Sequence, residues 1–166
     1  MNYIKITKND IANGPGVRCV LWVAGCKVHC RGCHNPQTWD CNAGNLFDEN
    51  AKNELFEALS TSYIQGITLS GGNPLDNPIE IFLLAREIKS RFPEKDIWLY
   101  SGYTYEQICQ DAEKLKVLLY VDVLVDGPYI EEQRDITLAF RGSRNQRLID
   151  VKETLKKGKI ITLQND

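Results

Sequence analysis

Apolar and polar positions along the chain alternate between two kinds of run. Four runs are short, branched and apolar: residues 17–23 (VRCVLWV), 67–69, 97–100 and 120–125. Runs of this kind predict buried strands, because parallel strands covered on both faces lose strict alternation. Between them lie stretches with a helical period. Ala51, Leu55 and Leu59 follow Asp48, an acceptable N-cap, and predict a first helix. Ile81, Leu84, Ala85 and Ile88 follow Asn77 and Pro78, with proline in the first turn, and predict a second. Residues 104 or 105 to about 115 predict a third, weaker helix. Residues 148–151 read as a strand, 152–157 as a helical turn or two, and 159–163 as a last strand. The polar, glycine-containing stretch 129–145 reads as a loop. This β-α order implies an α/β fold with right-handed crossovers and a mainly parallel sheet of five or six strands.

Each apolar run is followed at once by a loop of small residues. These are Ala24-Gly25-Cys26, Ser70-Gly71-Gly72-Asn73-Pro74, Ser101-Gly102-Tyr103 and Asp126-Gly127-Pro128-Tyr129. In α/β folds the carboxyl ends of parallel strands carry the site, so the four loops should converge on one face. A tight turn explains one such loop. Four of them, the first carrying three cysteines, point to a site.

Length and charge narrow the classes. The chain has 166 residues, enough for one domain (1–166) but fewer than the roughly 250 of a complete eight-unit barrel. The formal net charge is −2 with no long basic run, which argues against nucleic acid as a partner. Apolar runs stop at seven or so residues, too short for a membrane span of roughly 20. The first residues, MNYIKITKNDIANGPG, show no apolar leader core, so a cytoplasmic, reducing location is expected. In that setting clustered thiols are metal ligands or redox groups rather than disulfides.

The six cysteines are Cys19, Cys26, Cys30, Cys33, Cys41 and Cys109. Three of them form the motif Cys26-Lys-Val-His-Cys30-Arg-Gly-Cys33, close enough to bend around one metal centre. Structural zinc wants four ligands, and the fourth could be His29, His34, Cys19 or Cys41. A cubane iron–sulfur cluster takes one thiolate per iron, so three cysteines leave one iron open. Spacing alone does not separate the two. Cys19 in an apolar strand and Cys109 in a helix read as packing residues, and Cys41 is unassigned. The loop at Gly71 and Gly72 offers backbone N–H groups to a carboxylate, amine or phosphate. It has neither the dinucleotide fingerprint nor the P-loop spacing.

Together, C-x3-C-x2-C after a first strand and GG-x-P after a second resemble the radical S-adenosylmethionine superfamily. Further segments bring the resemblance closer: Asn13-Gly14-Pro15-Gly16-Val17-Arg18, Cys33-His34-Asn35 running into Thr38-Trp39, Asp122-Val-Leu-Val-Asp126-Gly127-Pro128, Phe140-Arg141-Gly142-Ser143, and Asn145-Gln146-Arg147. Over residues 1–151 they are similar to the activases of the anaerobic (class III) ribonucleoside-triphosphate reductases.

The resemblance implies an incomplete parallel (βα) barrel, open on one side. It implies that Cys26, Cys30 and Cys33 ligate a 4Fe-4S cluster whose open iron binds S-adenosylmethionine. Reductive cleavage of that cofactor would then generate a glycyl radical on the large reductase subunit, with a flavodoxin-type protein as electron donor. Gly32, Cys33 and His34 would line the cofactor. Gly71, Gly72 and Asn73 would meet its amino group, with Ser101 and Gly102 as weaker candidates. Asp126 and Gly127 would face the partner's glycine loop. Arg141, Arg144 and Arg147 would bind an anion, dock the reductase, or form a solvated basic loop. The cluster and cofactor carry the chemistry, so no side chain is assigned as a catalytic acid or base. Two departures stand out: Asn73 replaces an acidic residue of the glycine loop, and Gly32 replaces an aromatic that here follows as His34. Two other classes remain open, a small radical enzyme acting on a small molecule and a zinc-stabilised binding module.

Overall fold

The computed structural model describes residues 1–163. Among them are seven strands: β1 (Asn2–Asp10), β2 (Val17–Val23), β3 (Asn45–Leu46), β4 (Ile64–Gly71), β5 (Asp96–Tyr100), β6 (Val123–Asp126) and β7 (Arg147–Asp150). The helices are α1 (Glu49–Leu59), α2 (Pro78–Arg91), α3 (Tyr105–Ile108), α4 (Ala112–Val117) and α5 (Val151–Lys157). All strands join one mixed sheet in the order β3-β1-β2-β4-β5-β6-β7. Among the described residues no helix is long and apolar enough to cross a membrane.

The α/β class matches the expectation, but the sheet is less parallel than expected. The pairs β2–β4, β4–β5 and β5–β6 are parallel, whereas β1–β2, β1–β3 and β6–β7 are antiparallel. The additional strands are β1 and β3. Asn2–Asp10 carries lysines and no fully buried residue, so its apolar pattern is weak. Its order comes from pairing with β2, with Tyr3 opposite Val23 and Thr7 opposite Val20.

Three boundaries also differ. The expected strand 120–125 is confined to Val123–Asp126, because Leu118–Tyr120 forms a short 3-10 turn. The third helix breaks into α3 and α4, each with its own cap at Thr104 and Asp111. Residues 159–163 form only an isolated bridge, Ile149 to Thr162, rather than a strand.

The expected helices start where capping chemistry dictates. Asp48 accepts from the Ala51 N–H at 2.9 Å, and Pro78 opens α2, where its missing N–H costs nothing. Helix α1 buries Leu55 and Leu59, and α2 buries Ile81, Leu84 and Ile88, all against Cys19, Leu21, Ile67, Leu69, Ile97 and Leu99 of the sheet. The opposite face is also apolar, as expected, with Trp98, Val123, Val125 and Leu148 in a second buried cluster, but this cluster contains no helical residue among those described. On that face Arg18 is fully buried. It donates to Thr68 Oγ1 at 3.0 Å, Ile67 O at 3.0 Å and Asp96 Oδ1 at 2.6 Å, with its guanidinium over the Trp98 ring. A buried charge needs such partners. Arg18 therefore closes one end of this face and leaves the carboxyl end of the strands for the site.

Candidate functional site

The loops after β2, β4, β5 and β6 converge, as their sequence positions predict. The parallel register sets Trp22 beside Ser70 and Val23 beside Gly71, so the first two loops leave the sheet at one level. Together the four loops border a cavity of about 520 Å³. Cys26, Cys30, Cys33 and His34 of the first loop line it, with Gly71 and Gly72 of the second and Ser101 and Gly102 of the third. Residues 129–146 close over another side, contributing Tyr129, Phe140, Arg141 and Gln146.

Backbone hydrogen bonds fix the stem of the cysteine loop. Ala24 N donates to Asn2 O, Gly25 N to Thr38 O at 2.8 Å, and Cys26 N to Trp39 O at 3.1 Å. The glycine loop presses onto the same stem, with Gly72 N donating to Val23 O and Asn73 N to Gly25 O. This contact explains the two glycines. A Cβ on Gly71, whose φ is +104°, would lie 2.6 Å from Val23 N, and one on Gly72 would lie 2.3 Å from Gly25 O. Loop-on-loop packing is thus enough to require glycine at both positions.

Two of the three thiols receive backbone N–H bonds. Burial pushes the Cys30 thiol up, opposed by a hydrogen bond from the Tyr129 backbone. Cys33 Sγ accepts from Asn35 N at 3.3 Å. Such N–H···S contacts support thiolates and tune a bound cluster. Among the described residues no three His, Cys, Asp or Glu side chains converge as around a single ion. A cubane takes one thiolate per iron, so its ligands need not crowd a single ion.

Other residues depart from their expected surroundings. Gly32 and Asn73 do not line the cavity. Gly32, at φ +74°, lies against Glu131 and Tyr129 instead. Asn73 is 1% exposed; Oδ1 accepts from Ser101 Oγ at 3.2 Å, while Nδ2 is buried without a partner. Asp126 is buried and accepts from Tyr105 N at 2.7 Å and Arg147 Nε at 3.0 Å, so it is committed inside the fold. The three arginines separate: Arg141 lines the cavity with Nε buried and unpartnered, Arg144 is exposed, and Arg147 binds Asp126 and Glu106. His29 stacks on Trp39 at 4.5 Å rather than entering the cavity, and His34 packs near Tyr129. Cys19 is a buried strand residue whose thiol burial pushes up to about 11, as packing predicts. Cys109 is exposed at the end of α3 rather than packed, and Cys41 is exposed beside Gly25.

The sequence places Tyr129 only as the last residue of the fourth loop and assigns nothing to Asp76. Tyr129 closes over the cysteine loop, and its position directly after Asp126-Gly127-Pro128 was the available signal. Asp76, three residues beyond Asn73, reads locally only as the approach to α2.

Comparison with known proteins bears on the donor set. Residues 12–149 match the family described as 4Fe-4S single cluster domain. A protein of Enterobacteria phage T4 is 50% identical over 150 residues, covering 89% of this chain and 93% of that protein. One from Haemophilus influenzae is 41% identical over 151 residues, covering 88% and 96%. One from Escherichia coli K12 is 40% identical over 150 residues, covering 88% and 96%. All three are named anaerobic ribonucleoside-triphosphate reductase-activating protein.

Proposed function

Because this chain belongs to the 4Fe-4S single cluster domain family and to the anaerobic ribonucleoside-triphosphate reductase-activating proteins, we propose that it generates the glycyl radical of such a reductase. The observation that carries this reading is the presence of Cys26, Cys30 and Cys33 with the Gly71–Gly72 loop around one cavity. The partner is the large reductase subunit, and a flavodoxin-type protein supplies the electron. The cofactors are a 4Fe-4S cluster and S-adenosylmethionine, and the reaction runs in the reducing cytoplasm, where the thiols stay free. No nucleic acid takes part. We also read the sheet as the incomplete barrel of the radical S-adenosylmethionine type, whose open flank admits the partner's glycine.

When bound, the cluster and cofactor supply the electron transfer and the radical that removes hydrogen from the partner's glycine. The residues of this chain bind and orient. Cys26, Cys30 and Cys33 would hold the cluster, and the Gly71–Gly72 loop would meet the methionyl end of S-adenosylmethionine. Arg141 is the one Arg or Lys among the described residues that line the cavity, and no Asp or Glu lines it. Its guanidinium would take the cofactor carboxylate from that wall. Asn73 supports the third loop from behind the cavity wall, accepting from the Ser101 hydroxyl. Tyr129 and His34 screen the cavity from water.

The test is anaerobic reconstitution followed by mixing with the large reductase subunit. About four irons per chain, deoxyadenosine on adding reductant and S-adenosylmethionine, and a glycyl-radical EPR signal are expected. Cofactor cleavage without any glycyl radical would turn the reading to a small-molecule radical enzyme, and colourless protein with one zinc would end it.

A further inference from the structure

One carboxylate near the cysteine loop has no part in the reading above. Asp76 ends the short turn Pro74–Asp76 that follows the glycine loop. Its Oδ2 accepts from Lys27 N at 2.8 Å, the backbone donor directly after Cys26. Its Oδ1 accepts from the Tyr103 hydroxyl at 2.6 Å, which comes from the third loop. Tyr103 N in turn donates to Ser101 Oγ, which donates to Asn73. One side chain therefore ties the first, second and third loops together.

Two further observations bear on the start of the cysteine arc beside this carboxylate. Asp76 and Cys26 border the same second cavity, of about 390 Å³, on the far side of the cysteine loop. The arc beyond Lys27 then lies against the third loop, since a Cβ on Gly102 would sit 2.8 Å from Val28 Cγ2. Lys27 N is the last backbone donor of the stem before that arc turns into the first cavity. Pinning it sets where Cys26 ends and the arc begins.

We propose that Asp76 is a positioning residue for the iron–sulfur cluster. Through the Lys27 N–H it fixes the loop, and through its charge, partly drawn off by the Tyr103 hydroxyl, it sets how readily the cluster accepts an electron. This rests on the proposed function, because it presumes the cluster. The electrostatics give the sign. Reduction adds negative charge to the cluster, so a neighbouring carboxylate opposes it. Asp76→Asn keeps an acceptor oxygen for the loop and removes the charge, which favours reduction. Tyr103→Phe keeps the ring and removes the donor that offsets Asp76, which disfavours reduction.

The experiment is an EPR-monitored redox titration of reconstituted wild type, Asp76→Asn and Tyr103→Phe, with iron counted in each. The expected result is about four irons in all three and opposite shifts in the variants. For Asp76→Asn we expect a tenfold change in the reduction equilibrium, about 59 mV upward for one electron. A purely structural brace would lower iron content and leave the potential of the loaded fraction unmoved. Both variants at full loading with the wild-type potential overturn the proposal. If Asp76→Asn loses iron, Tyr103→Phe decides: a downward shift supports the proposal and an unmoved potential overturns it. Wild type that loads no iron overturns the proposed function itself, a result distinct from either.

Discussion

Asn73 and Arg141 show how the surroundings of a residue decide its role. From the sequence, an amide replacing an acid in the glycine loop reads as a weaker partner for a cofactor ammonium, and Asn73→Asp should tighten S-adenosylmethionine binding. The fold adds that this side chain is 1% exposed and already bonded to Ser101. A carboxylate there is costly until a cation arrives. We expect Asn73→Asp to lower Tm without cofactor, and S-adenosylmethionine to raise Tm more in the variant than in wild type. Equal rises would show that the side chain does not sense the cofactor. Arg141 is the complementary case. Losing one charge-assisted contact costs about 1.5–3 kcal/mol, so Arg141→Met should raise the cofactor Kd roughly 10- to 100-fold by equilibrium binding while iron content holds. An unchanged Kd would return Arg141 to the solvated-loop reading. Neither environment was legible in the sequence, because each depends on residues from another loop.

Among the elements, Arg147 joins three parts of the fold. It opens β7, binds the buried Asp126 at the end of β6, and reaches Glu106 in α3 with Nη2 to Oε2 at 2.8 Å. The Arg147 bond is the main cause holding the Glu106 carboxyl down from 4.5 to about 2. A depressed carboxylate stabilises the fold above its unfolded pKa and loses that contribution as pH falls through the folded one. The contribution of this pair is thus complete above pH 4.5 and lost between there and about pH 2. Arg147→Met should flatten the dependence of Tm on pH across that window. It should also cost about 3 kcal/mol near neutral pH in denaturant melts, since Asp126 is left as a buried charge without its cation. Equal acid slopes in variant and wild type would separate Glu106 from Arg147. The elements themselves were largely legible. Asp48 and Pro78 marked the starts of α1 and α2 because capping acts over three or four residues. Strand β1 was not, because its order depends on pairing with β2 rather than on its own apolar pattern.

For the whole molecule, the site lies on loops while the helices and the sheet carry the core, so ligand binding adds to a fold that already stands. A cofactor that binds only the native state stabilises by about 2.7 kcal/mol at a hundredfold excess over Kd. At roughly 2–4 °C per kcal/mol for a chain of this size, saturating S-adenosylmethionine should raise the Tm of the reconstituted protein by about 5–10 °C. No rise in the cluster-loaded form would count against a cofactor site in the cavity. The sequence by itself determined what is local. It set the three-cysteine spacing, the small-residue loop after each apolar run, the helix starts and the α/β class, because strand, turn and cap preferences act over a few residues. Tertiary structure alone decided which sheet face is left for the site, that three of the six strand pairings are antiparallel, and that Cys109 is exposed. It also decided the partners of the charged groups, with Arg147 meeting Asp126 across 21 residues and Asp76 meeting Lys27 across 49. Burial and long-range hydrogen bonds depend on which segments the folded sheet brings side by side, and no local window of the chain carries that information.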